Sequence, residues 1–342
     1  MRIYNKDGWV NWPDIVEETR AFCMVVGARG TGKTYGLMRY LLESGKRFLY
    51  VRRLKTQLDE CGKADGNPFK RINSDIGTMI LPYKAGSGIR FQPSEANENG
   101  KYIPVGEPVA LGVALSTFAT VRGADYSDID YIVFDEAIAM IGEKPINNEF
   151  TAFLNFYETV NRNRELLGNP PVKCFLLGNA NKLGNPYFLG WGFMRIALNM
   201  IKGNQMVYRT QDKTRIMIML LNSPISAQKR ETVLYKNGSS DFMTMALDNA
   251  FRTDETDIRS RNLREYNHVV SIGDIGVYTH KSTREIYVSR TISKDNYYDD
   301  FGIRLTMFRH DYQILKIKYL AQKIQFEDYE SELIFREYLE IN

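Results

Sequence analysis

Strands alternating with helices, a G-x-x-x-x-G-K-T segment after the first strand, and a change of pattern past about residue 205 predict an α/β protein in two parts. The first part should carry a mostly parallel sheet covered on both faces, and the last a smaller α/β unit. With 342 residues the chain is long enough for two domains, each with its own core.

The first strand is the apolar run Phe22-Cys-Met-Val-Val26, and Tyr35, Leu37, Met38, Leu41 and Leu42 then keep helical spacing. Between them, residues 27–34 read Gly-Ala-Arg-Gly-Thr-Gly-Lys-Thr, a complete phosphate-binding loop in its strand–loop–helix setting. Glycines let backbone N–H groups close around a polyphosphate, and the helix N-terminus adds its positive dipole. Gly27, Ala28, Arg29, Gly30, Thr31, Gly32, Lys33 and Thr34 are therefore the nucleotide-binding candidates. Lys33 would reach the β- and γ-phosphates, and Thr34 would offer its hydroxyl to Mg²⁺. Arg29 could bond the nucleotide or face solvent. Tyr4, Trp9 and Trp12, ahead of the first strand, could stack on adenine or cap the core edge.

Arg47-Phe-Leu-Tyr-Val51 reads as a second buried strand, running into Arg52-Arg53-Leu54-Lys55. This basic run is either a solvated loop, a contact for DNA phosphates or a source of a cation acting on an adjacent subunit's nucleotide. Arg53 and Lys55 stand as the candidates. Residues 59–105 read as loop-rich, with short hairpin strands at Ile89–Phe91 and Tyr102–Ile103. Strands return at 110–116 and 131–135. Phe150, Phe153, Leu154, Tyr157 and Val160 predict a helix over 149–165, and Val172–Leu177 is a further strand.

Tyr131-Ile-Val-Phe-Asp-Glu136 is an apolar strand ending in two acids, about 100 residues after the loop. An acid at that strand tip holds Mg²⁺ beside the loop threonine, and a second acid can polarise the attacking water. Asp135 is assigned to the metal and Glu136 to general-base catalysis. The pairing favours ATP over GTP as the substrate. Arg162 and Arg164 close the predicted helix, where the dipole favours cations. The sharper reading makes Arg162 a finger presented to a neighbouring subunit's γ-phosphate. Asn179, after Leu176-Leu-Gly178, is either a turn residue or a sensor bonding the attacking water or γ-phosphate.

Past residue 205 the pattern changes. Residues 201–250 read as a connector with a turn at Asn237-Gly238. Val269–Ile272, Gly276–His280 and Glu285–Arg290 read as consecutive antiparallel strands, and helices are expected near 307–324 and 327–340. Asp274 ends a strand as a nuclease acid would, but only Asp295, Asp299 and Asp300 lie near it in sequence, and a two-metal site needs several carboxylates. His268, His280 and His310 lack metal spacing.

Composition is that of an ordinary globular chain, with 44% apolar and 25% charged residues. The longest apolar run, Ile216–Leu221, is too short to span a membrane. Cys23, Cys61 and Cys174 are scattered, which argues for a reducing compartment and against zinc. Net charge is +4: residues 1–205 carry 25 Lys and Arg against 21 Asp and Glu, and the rest 20 of each. An excess this small does not by itself establish nucleic-acid binding.

Taken in order, Val26–Thr34, Tyr50-Val-Arg-Arg53 with Lys55, Ile132–Glu136, Arg162-Asn-Arg-Glu165, Asn179-Ala180 and Asn185-Pro-Tyr-Phe188 resemble the DNA-packaging ATPases of phi29-like bacteriophages, a terminase-like group. Asp248-Asn249 with Phe251 extends the likeness into the connector. The resemblance implies a P-loop ATPase domain over residues 1–200, a connector over 201–250, and an RNase H-like nucleic-acid-binding domain, without nuclease activity, over 251–342. It implies an ATP- and Mg²⁺-dependent motor that translocates double-stranded viral DNA into a procapsid. Its partners would be the DNA, other copies of itself in a pentameric ring, the portal of the procapsid and a structural RNA, with no membrane. It would work in the host cytoplasm, transiently at the portal vertex, and be absent from the mature virion. Arg162 would be the trans-acting finger, and Lys55 a candidate for action across the subunit interface. The rivals are a terminase large subunit that also cuts DNA, a nucleotide-gated scaffold without turnover, and a generic helicase or recombination ATPase.

Overall fold

A computed structural model describes residues 1–121, 126–140, 143–144, 146–179, 184–229, 232–233, 260–321 and 323–341. The chain divides into two units, Met1–Phe251 and Arg252–Asn342.

The larger unit is organised by one sheet. Its centre is formed by β1 (Phe22–Val26), β2 (Phe48–Arg52), β6 (Ala110–Ala114), β7 (Tyr131–Phe134), β8 (Lys173–Gly178) and β10 (Arg215–Met219). These run parallel in the order β6-β2-β7-β8-β1-β10. They are near-continuous apolar runs because helices cover both faces, as a buried parallel sheet demands. The edges are antiparallel: β3 (Ile80–Ala85), β4 (Gly88–Ala96) and β5 (Tyr102–Pro104) on one side, β9 (Val207–Arg209) on the other. Helices α1 (Trp12–Glu18) and α2 (Lys33–Glu43) pack together near β1, and α5 (Glu149–Asn161) lies between β7 and β8 in the chain.

Two boundary expectations are corrected. The stretch 59–105 is not mainly loop: it holds the end of α3 (Lys55–Cys61), α4 (Lys70–Ile76) and the β3–β4 hairpin, with β5 on the far end of β4. Leu58, Phe69, Ile72, Ile80, Ile89 and Phe91 bury themselves in the main core, and the glycines and asparagines between them only mark the turns. Residues 201–229 are likewise no linker. The end of α7 (Met194–Lys202), β9, β10 and α8 (Pro224–Lys229) belong to the larger unit, and β10 is a buried strand beside β1. The turn at Asn237-Gly238, Ala180, and the Asp248-Asn249 and Phe251 likeness lie outside the described residues.

The smaller unit has a five-stranded sheet in the order β14-β11-β12-β13-β15. Strands β11 (Tyr266–Ile272), β12 (Ile275–His280) and β13 (Ile286–Ser289) are consecutive and antiparallel, as expected. The short β14 (Tyr297–Tyr298) pairs parallel with β11, and β15 (Ile324–Phe326) parallel with β13. Helices Gly302–Asp311, Gln313–Leu320 and Tyr329–Tyr338 accompany it; the single helix expected near 307–324 is two, broken at Tyr312, and the first begins earlier than expected. Phe308, Leu315, Phe335 and Leu339 pack with Val270, Val277 and Val288 into this unit's own core.

Candidate nucleotide site

Sheet order brings the chemistry together. Because β2, β7, β8 and β1 are parallel neighbours, their carboxyl ends lie side by side, and each ends in a polar residue or the phosphate loop. Backbone bonds hold the tips in step: Asp135 N donates to Val51 O at 2.9 Å, Ala137 N to Leu177 O at 2.8 Å and Gly27 N to Gly178 O at 3.2 Å. A crevice beyond the carboxyl ends of such strands is where open α/β sheets bind ligands.

The loop leaves β1 at Gly27 and enters α2 at Lys33, with Gly30 at φ +67° and Gly32 at φ +87°. Those left-handed conformations are why this turn needs glycine. A Cβ on Gly32 would also lie 3.1 Å from the Trp9 ring. The Lys33 ammonium is buried and curls back onto its own loop, donating to Gly27 O at 2.9 Å, Ala28 O at 2.7 Å and Asn179 Oδ1 at 3.2 Å. Burial pushes its pKa down to about 7, against the pull of Asp135 and with help from the cations Lys229 and Arg29. Among the described residues this buried ammonium is held by neutral oxygens, which leaves it poised for an anion.

Thr34 Oγ1 donates to Asp135 Oδ1 at 2.5 Å, so the two residues assigned to Mg²⁺ are in contact. Tyr50 Oη and Arg52 Nη1 donate to the other carboxylate oxygen at 2.9 and 3.0 Å. Arg52 Nη2 reaches Glu136 Oε2 at 2.5 Å. Burial opposes the charge on Arg52, but the negative groups around it more than offset this and hold its pKa above the ordinary value. Glu136 sits at φ +50°, an uncommon conformation for a non-glycine residue. A carboxylate, a hydroxyl, a lysine and a loop of backbone donors are the set that a nucleotide polyphosphate with a divalent cation requires. The donor set fits that group.

Lys33, Thr34, Asp135, Glu136 and Asn179 thus converge. Arg53 does not join them. Its side chain is 1% exposed, and its guanidinium forks onto Glu149 at 2.7 and 2.7 Å and bonds Glu143 at 2.9 Å. Tyr187 Oη completes Glu149 at 3.0 Å. Adjacent residues leave a strand on opposite sides, so Arg53 turns into the packing under α5 and is corrected from a DNA-contacting or trans-acting cation to a structural one. Lys55 opens α3 and pairs with Asp59 one turn on, with a partly exposed side chain.

Arg162 caps the end of α5 with φ +45° and is exposed. Asn161 holds that corner, accepting from Val172 N at 2.8 Å and donating to Glu165 at 3.2 Å. Arg164 instead bonds Ile129 O at 2.7 Å and pairs with Asp130, tying the corner to the sheet. Of the aromatics considered for base stacking, Trp12 is buried and donates to Gly32 O at 3.2 Å, and Tyr4 donates to Leu221 O at 3.0 Å. Trp9 alone of the three is 42% exposed, beside Gly32.

Sequence reasoning missed Arg52 as the partner of both acids, and Tyr50 as a donor to Asp135. Arg52 ends the buried strand next to β7, but only the strand order reveals that neighbour. It also missed Lys229, which donates to Arg29 O at 2.7 Å. In the smaller unit Asp300 accepts from Tyr338 Oη at 2.9 Å. Among the described residues, no three or more His, Cys, Asp or Glu side chains gather in a way that could hold a metal. Among those residues, no helix is long and apolar enough to cross a membrane.

The chain is 27% identical over 335 residues to the DNA packaging proteins of Bacillus phages phi29 and PZA, covering 92% of itself and 91% of each. Its fold is similar to that of the solved Phi-28 gp11 DNA packaging motor, with a TM-score of 0.62 at 20% identity over 99% of both chains. The model of the family described as podovirus DNA encapsidation protein (Gp16) matches residues 4–321. The strand-tip constellation therefore sits in a member of the podovirus DNA encapsidation protein family, to which this chain belongs.

Proposed function

We propose that the larger unit binds Mg·ATP and hydrolyses it to move double-stranded DNA into a procapsid. The observation that carries this reading is the contact of Thr34 with Asp135, beside the buried Lys33 and next to Glu136. Thr34 and Asp135 would hold the cation, which when bound neutralises phosphate charge. Lys33 would leave its loop carbonyls for the phosphates. Glu136 would orient and deprotonate the attacking water once it is released from Arg52. Asn179, already bonded to Lys33, would report phosphate occupancy.

Arg162, exposed at the corner after α5, would complete the site of the next copy in a homomeric ring, a pentamer at the portal vertex. The ring would grip the DNA backbone when ATP binds and let go on hydrolysis. Phosphate contacts need no base readout, so packaging would be independent of sequence. The DNA packaging relatives support DNA and the packaging machinery as partners. A structural RNA at the portal and a transient residence in the host cytoplasm, outside the mature virion, complete the proposal.

The test is packaging of linear double-stranded DNA into purified procapsids. ATP should drive it, and neither a non-hydrolysable analogue nor Glu136→Gln protein should. Packaging by Glu136→Gln at the wild-type rate would overturn the assignment. Mixing Arg162→Ala with Glu136→Gln subunits should recover hydrolysis that neither has alone, because a Glu136→Gln subunit still donates Arg162 to an Arg162→Ala neighbour whose own Glu136 is intact. Absence of recovery, with mixed rings formed, would remove Arg162 from the trans role.

A further inference from the structure

Strand β10 does more than extend the sheet. It runs parallel to β1 with Met219 opposite Val26, and Leu220 N donates to Val26 O at 2.8 Å just where the phosphate loop begins. The chain then turns at Asn222, with φ +51°, into α8, and Lys229 ends that helix. The Lys229 ammonium donates to Arg29 O at 2.7 Å. A Cβ placed on Gly30 would collide with Lys229 Nζ, so the ammonium lies against the middle of the loop. Lys33 holds the same loop through the carbonyls of Gly27 and Ala28. Two lysines and Arg29 thus crowd one turn of backbone, while the nearby acids Asp135 and Glu136 are engaged with Arg52.

We propose that Lys229 is a second phosphate-directed cation of this site, which exchanges the Arg29 carbonyl for the terminal phosphate when ATP binds. The proposal rests on the nucleotide reading of the loop. The exchange gives a half-buried ammonium an ionic partner in place of one carbonyl, and charge-assisted bonds are the stronger kind. It also relieves the repulsion among like charges around the loop. Lys229 closes the helix through which the chain leaves the sheet, and Thr232 bonds back to Lys229 O through both its N–H and its hydroxyl. Drawing Lys229 inward therefore draws on that exit, so the site would signal occupancy along the chain from this lysine.

The test is equilibrium binding of fluorescent ATP and ADP analogues to full-length wild-type, Lys229→Ala, Lys229→Arg and Lys33→Ala proteins. Hydrogen exchange of residues 222–233 is followed in parallel. Lys229→Ala should lose about tenfold in ATP affinity and distinctly less in ADP affinity. Lys229→Arg should recover most of the loss. ATP should slow exchange at 222–233 in wild-type protein and not in Lys229→Ala. If wild-type protein binds ATP, Lys33→Ala abolishes it, and Lys229→Ala matches wild type for both nucleotides, Lys229 has no such role. If wild-type protein binds neither nucleotide, the proposal and the reading beneath it fall together.

Discussion

Arg52 and Arg53 are neighbours in sequence and opposites in the fold. Arg52 lies at the sheet's carboxyl edge and bridges Asp135 and Glu136, the second of which is 41% exposed. Arg53 is closed within Glu149, Glu143 and the Tyr187 contact, with hardly any surface. One arginine is a restraint that chemistry must undo; the other is a fastening that nothing needs to open. The difference comes from which side of the chain each leaves at the end of β2. A run of basic residues in a sequence is therefore not one functional unit.

The largest effect should come from the fastening. Arg53→Ala strands the buried Glu149 carboxylate and the partly buried Glu143 and should cost about 3–5 kcal/mol, read as a fall in melting temperature of about 10 °C. A melting temperature within a degree or two of wild type, with DNA binding lost, would return Arg53 to the DNA-contacting class.

The next effect is one of pH. The unfolded chain keeps its lysine protons to higher pH than the buried Lys33, whose pKa is pushed down to about 7. Burial therefore costs stability below that value, and the cost is relieved as pH rises towards the ordinary lysine range. Bound phosphate restores the charge, so at about pH 8 ATP binding should take up a proton, and affinity should fall up to about tenfold per pH unit above that. Calorimetry in buffers of different ionisation heat measures the uptake; proton release on binding would contradict it.

Arg52→Ala should be milder in stability, about 1–2 kcal/mol, because Thr34 and Tyr50 still donate to Asp135. Its signature should be functional. With Glu136 no longer held, hydrolysis without DNA should rise towards the DNA-stimulated rate. An unchanged ratio of the two rates would mean that the Arg52 pair is not a restraint. Lys55→Ala should be the smallest in stability, within about 0.5 kcal/mol, since among the described residues its side chain makes a helical pair with Asp59 and no other ion pair. Any loss of turnover by that variant then belongs to the subunit interface and not to folding.

The phosphate loop and the acid pair were legible in the sequence because local spacing dictates their conformations. Gly30 and Gly32 stand where the chain must turn left-handed, and Asp135 follows an unbroken apolar strand. The antiparallel strands of the smaller unit were legible for the same reason, as alternation and turn residues announce them. The roles of Arg52, Arg53 and Lys229 were not legible, since each depends on a partner far away in sequence. Sheet order alone decides that β2 borders β7 and that β10 borders β1. The helices hidden in 59–105 were missed because Leu58, Phe69 and Ile72 are too sparse to declare a period until the core they fill is known.

The central claim is tested most directly by steady-state ATP hydrolysis of the purified protein, with and without double-stranded DNA, and with Glu136→Gln as the control. The account predicts hydrolysis that DNA stimulates and that Glu136→Gln lacks while still binding ATP. Tight ATP binding with no turnover under either condition, and none when procapsids are added, would contradict it and leave the loop as a gate for assembly.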